Sequence, residues 1–86
     1  MIVELVLERE PELNLVGYER IELPVGVLLS NPVEKRIDIV MKRHPDGRVS
    51  VFTDKSDVVK AVLRKAKVVD VHARSVSYTH LTLPPN

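Results

Sequence analysis

The chain has no cysteine, no tryptophan and no glutamine among its 86 residues. Without cysteine it can form neither a disulfide nor a thiolate metal site. Small secreted domains are usually stapled by disulfides, so this absence leans away from export. Only Tyr18 and Phe52 are aromatic before the final stretch, too few for the stacked platforms of most single-strand nucleic-acid binders. The three glycines make no phosphate-cradling loop. The longest apolar run, Val25 to Leu29, is far below the roughly 20 residues a membrane-spanning helix needs. The opening MIVELVLERE lacks a basic leader, and Glu4 interrupts its apolar run, so it does not read as a secretory signal. The expected location is cytoplasmic.

What is present is mostly Val, Ile, Leu, Lys, Arg and Glu. Charged residues make up 29% of the chain, a balance that leans toward thermophile proteins. The length allows one small domain, which buries only about 60% of its unfolded surface and so needs support from assembly or further sequence. Net charge is +1 but unevenly spread. Met1 to Glu34 holds seven glutamates against Arg9 and Arg20, a balance of −5. Lys35 to Ser75 holds eleven Lys or Arg against five Asp, a balance of +6. Such a split suits opposite charges paired across neighbouring strands. It equally suits a basic binding face.

Side-chain alternation predicts a strand over Ile2 to Glu8, with Val3, Leu5 and Leu7 on one face and Ile2 and Val6 on the other. Apolar residues on both faces make it a central strand. A second strand is expected from Tyr18 to Leu29, with Pro24 and Gly26 marking an edge or a bulge. A third runs from Arg36 to Arg43, with Ile37, Ile39 and Met41 sharing a face. His44-Pro45-Asp46-Gly47-Arg48 is a turn, and Arg48 to Thr53 returns antiparallel. A helix then opens at Thr53 to Asp57, capped by Asp54 or Ser56, with Val58, Val59, Val62, Leu63 and Ala66 at helical spacing. Val68 to Ala73 forms a last strand, parallel to the strand before the helix if both share a sheet. The expected fold is α+β: a mixed, mainly antiparallel sheet with one helix on one face, in the order β-β-β-β-α-β.

The final stretch, Val76 to Asn86, has a different character: no charge, adjacent prolines and several hydroxyl side chains. Val-Ser-Tyr-Thr-His-Leu-Thr-Leu-Pro resembles one frame of a transposon-based sequencing adapter, GTC TCT TAT ACA CAT CTG ACG CTG CCG, of the kind left in an assembled metagenomic read. Pro85 departs from the threonine that the next codon, ACG, would give. The resemblance implies a native domain over residues 1–75, truncated at its C-terminal end, and an adapter-derived segment over 76–86. That segment is expected to pack irregularly, and Tyr78, Thr79 and His80 carry no functional weight. Reading the locus past codon 75 tests this.

No catalytic or metal-binding set stands out. His44 and His72 lack ligand spacing and read as a solvated turn residue and a strand residue away from the core. Ser50 reads as a strand surface residue and Ser56 as a cap, neither with a base in reach. No cofactor is expected. The functional lead is a basic set: Lys42, Arg43 and Arg48 around the hairpin, and Lys60, Arg64 and Lys67 along and after the helix. Such a set could track a phosphate backbone. The expectation is a non-enzymatic nucleic-acid-binding or nucleoprotein-associated module. The alternative is a structural or oligomerisation domain of a larger intracellular protein. For that role the lead is Ile2, Val6, Leu28 and Val40, apolar side chains that one helix does not cover.

Overall fold

The computed structural model describes residues 1–74. Alternating apolar positions build β1 (Ile2–Leu7), β2 (Glu19–Leu23), β3 (Gly26–Asn31), β4 (Arg36–Arg43), β5 (Val49–Thr53) and β6 (Val68–Arg74), with α1 (Ser56–Lys65) between the last two strands. The strands form a single sheet in the order β2-β3-β4-β5-β1-β6. The α+β class and the one-helix layout expected from the sequence are therefore observed. Every hydrogen-bonded neighbour pair is antiparallel. β5 and β6 both run antiparallel to β1, which lies between them, so they are parallel to each other across the α1 crossover. The irregular packing expected of Val76 to Asn86 lies outside the described residues.

The β4–β5 hairpin forms where its turn chemistry places it. Gly47 takes a φ of +94°, which a side chain would resist. The Gly47 N–H donates to the His44 carbonyl, and the Arg48 N–H donates to Asp46 Oδ1. The stretch Tyr18 to Leu29, read as one strand, is instead two. Pro24 and Val25 make a two-residue turn, and Leu23 pairs with Gly26. Across such a turn the faces exchange: Ile21 pairs with Leu28, while Val27 and Leu29 pair with Glu22 and Arg20. Gly26 lets β3 pass tightly against β4, since a Cβ there would run into the Met41 carbonyl.

One sheet face holds the core. Leu5, Leu7, Ile39, Val51 and Val62 are fully buried, with Val27, Leu29, Met41, Val49 and Val58 close behind. Burying each such side chain stabilises the fold by about 1.5–3 kcal/mol. α1 contributes Val58 and Val62 to this face. The segment 8–18 crosses the same face on its way from β1 to β2, packing Leu13, Leu15 and Tyr18 on the core. Helix capping differs from expectation. Lys55 occupies the N-cap with no side-chain cap, and its carbonyl accepts from Val58 and Val59 N–H. Asp57 still sits in the first turn, and Arg64 and Lys65 in the last, as the helix dipole favours.

Two register shifts shape the sheet. Between β3 and β4, Leu29 pairs with Ile39 but Ser30 pairs with Ile37, leaving Asp38 as the extra residue of a β-bulge. Ile37, expected beside Ile39 and Met41, is thereby moved to the opposite face with Ser30. In β6, Val6 pairs with Asp70 and Leu7 with Val68, so Val69 is the extra residue.

Candidate functional site

The six cations singled out in the sequence do not converge. Lys42 pairs with Ser50 on the helix-free face of the sheet. Lys60 and Arg64 are exposed on α1, which covers the other face. Arg43 is held by Glu10 and Glu22, each at 3.1 Å. Arg48 lies 3.7 Å from Asp46 at the hairpin tip. Lys67 reaches Glu8 at 3.3 Å. Three of these pairs, Arg43 with Glu10, Arg43 with Glu22, and Lys67 with Glu8, join the acidic first part of the chain to the basic second part.

Two charge clusters form instead, and both secure the β2 end. Arg20 and Arg43 share Glu10 and Glu22 in a four-residue network, with Arg20 at 2.7 Å from Glu10 and 2.6 Å from Glu22. The hydrogen bond from Arg20, helped by that from Arg43, keeps the Glu10 carboxyl below its usual range despite partial burial. This network ties segment 8–18 to β2 and β4. The second cluster centres on Asp38, which the bulge turns inward until its side chain is 1% exposed. Tyr18 Oη donates to it at 2.7 Å and Arg36 Nε at 2.8 Å, and Lys55 Nζ lies 3.8 Å away. Burial pushes the Asp38 carboxyl up, but these donors and charges outweigh it and hold it below its ordinary value. Burial, together with the bond to Asp38 and its negative charge, pushes the Tyr18 phenol up to about 12.

Ser50 and His44 also depart from expectation. Ser50 is fully buried, not a surface residue. Its hydroxyl donates to Glu4 Oε2 at 2.8 Å, and His44 Nε2 lies 2.7 Å from Ser50 Oγ. With the Ser50 proton committed to Glu4, the imidazole is the donor in the second bond. That is the reverse of the arrangement in which histidine takes a serine proton. The trio therefore acts as a relay of bonds holding β1, β5 and the hairpin turn in register. His44 is half-buried in it, not a free turn residue.

The helix-free face presents a continuous row. The registers align Ile21, Leu28, Val40, Phe52, Glu4 and His72 directly across all six strands. Its first four members are apolar. Ile21 is 41% exposed and Val40 37% exposed, with Leu23 and Ile37 nearby at 40% and 48%. Ile2, Val6, Leu28 and Phe52 are half-buried. Four of these residues, Ile2, Val6, Leu28 and Val40, were singled out in the sequence. Ile21, Leu23, Ile37 and Phe52 were not. The Pro24–Val25 turn was the available signal for the first two, because it exchanges the faces of an otherwise unbroken alternation.

Among the described residues, no group of His, Cys, Asp and Glu is placed to hold a metal ion. No helix there is long and apolar enough to cross a membrane. Comparisons with protein-family models, with curated proteins and with solved structures give no match.

Proposed function

We propose that the domain is a non-enzymatic assembly module whose copies associate through the helix-free face of the sheet. The observation that carries this reading is the apolar row Ile21–Leu28–Val40–Phe52, widened by Leu23 and Ile37 and bordered by Glu4, Glu19 and Lys42. Contiguous apolar surface with a polar rim marks an interaction site. Association also offsets the small core of so short a chain. Light scattering tests it: the wild-type chain runs above its monomer mass of 9.7 kDa, and Val40→Lys or Ile2→Asp lowers the observed mass. A wild-type chain that is monomeric throughout ends the reading.

A nucleic-acid role remains as a second reading, narrowed to the helix. Lys60, Arg64 and Lys65 are exposed on α1 and make no ion pair among the described residues. Binding through them falls steeply with salt, and Lys60→Glu with Arg64→Glu abolishes it. A low-salt gel shift without any complex, on DNA or RNA, removes this alternative.

A further inference from the structure

We infer that β6 is a second self-association surface, at which two copies join their sheets edge to edge about a two-fold axis through Val71. This extends the assembly reading to a different part of the molecule and does not depend on the helix-free face.

β6 ends the sheet, so among the described residues one side of its backbone has no neighbouring strand. Exposed strand edges are templates for pairing with another chain unless something blunts them. Here little does. Val69 and Val71 are 45% and 51% exposed, and the strand carries no proline. The Val71 N–H donates at 2.9 Å to its neighbour Asp70 Oδ1 instead of bonding to β1. Its backbone at that position therefore faces outward, and a side-chain oxygen stands in for the carbonyl that a paired strand would offer.

The polar side chains on β6 are self-complementary. Asp70 and His72 pair with Val6 and Glu4, so both lie on the helix-free face, 3.1 Å apart at their nearest atoms. Two antiparallel copies centred on Val71 set each Asp70 opposite the His72 of the second copy. An imidazole N–H facing a carboxylate across neighbouring strands is a favourable polar pair, whereas a register moved by two residues loses this match. On the other face the two Val71 side chains meet each other. The Val71 N–H then exchanges Asp70 for a backbone carbonyl, and Asp70 is released to the second copy's His72. The product is a continuous antiparallel sheet twice the width of the original.

The absence of cysteine allows a direct test on the 86-residue chain. In the proposed pair, Val71 faces its own copy at a Cα separation of about 5.5 Å, within disulfide range. Under mild oxidation, Val71→Cys forms a covalent dimer far faster than Val33→Cys, although Val33 is 88% exposed in the β3–β4 turn. Asp70→Lys weakens association on the order of tenfold, the effect of removing the hydrogen-bond acceptor from both copies of a cross-strand polar pair. Adding His72→Glu to Asp70→Lys restores it. Cross-linking of Val71→Cys no faster than that of Val33→Cys overturns the inference, as does failure of the charge exchange to restore association. If Val40→Lys lowers the mass while Val71→Cys fails to cross-link, the face reading stands and the edge inference falls. If Val71→Cys cross-links and Val40→Lys leaves the mass unchanged, the edge stands and the face reading falls.

Discussion

At one edge of the sheet, β2 is clamped by ion pairs to the rest of the chain; at the other, β6 pairs its Asp70 with its own His72 and exposes valines. β2 reads Glu-Arg-Ile-Glu-Leu, and Arg20 and Glu22 are locked with Glu10 and Arg43 into one network. Pro24 follows it in the turn. Tyr18, immediately before it, is bonded to the buried Asp38. These devices satisfy the side chains locally and make strand addition unfavourable. β6 reads Val-Val-Asp-Val-His-Ala-Arg, and the Asp70 carboxylate accepts from the outward N–H of Val71. Among the described residues, side-chain clusters tie one edge of this sheet to the rest of the chain, whereas the other edge has no such tie.

The clamped edge breaks most severely at Gly26. Gly26→Val drives a side chain into the Met41 backbone, and an overpacked strand contact costs about 3 kcal/mol. For a domain of this size that lowers Tm by roughly 10–20 °C, measurable by calorimetry. Gly26 does not sit at positive φ, so a Gly26→Val chain that keeps the wild-type Tm would show that β3 and β4 can part to admit the side chain.

Tyr18→Phe is next in size. It removes a hydrogen bond to a buried carboxylate and costs about 2 kcal/mol. It also changes the pH profile. A phenol raised from 10.0 to about 12 contributes stability that is present below pH 10 and lost as pH rises through about 12. The wild type loses this contribution in that window, and Tyr18→Phe lacks that part of the alkaline decline. Asp38, held below its ordinary range, behaves oppositely. Its contribution is present above the unfolded carboxylate range and lost as pH falls toward its lower folded value. Denaturant melts at acid, neutral and alkaline pH separate the two.

At the β6 edge, Val71→Lys sets like charges directly opposite each other across the proposed two-fold. It weakens self-association on the order of tenfold and leaves Tm of the dilute protein nearly unchanged. Sedimentation velocity over a concentration series reads this directly. The smallest effect is expected from Glu10→Gln. It loosens the clamp on β2 and segment 8–18, giving a slight fall in Tm at low salt that fades at high salt, as for other partly exposed ion pairs. A loss that persists in high salt would mean that Glu10 acts through packing.

Much of the fold was legible where a local rule has one solution. The β4–β5 hairpin follows from Pro45 and Gly47, the interior place of β1 from its two apolar faces, and α1 from Val58 and Val62 at helical spacing. Less was legible where one residue alters parity. Alternation runs unbroken from Ile21 to Leu29, yet a two-residue turn at Pro24 and Val25 sends its halves to opposite faces. Asp38 does the same within β4, and its burial depends on Tyr18, Arg36 and Lys55, which are distant or unremarkable in sequence. The basic set was visible as composition, but its division between two faces follows from sheet topology. The helix-free row was half visible for the same reason: Leu28 and Val40 are strand-local, whereas Ile21 joins them only through the turn.

Sedimentation equilibrium of the unsubstituted 86-residue chain, from low to high micromolar concentration at near-physiological salt, tests the assembly reading most directly. The expected result is a mass rising from that of the monomer to that of a dimer or larger species, with Val40→Lys and Val71→Lys each reducing it. A wild-type chain that stays at 9.7 kDa across the whole range would contradict the account.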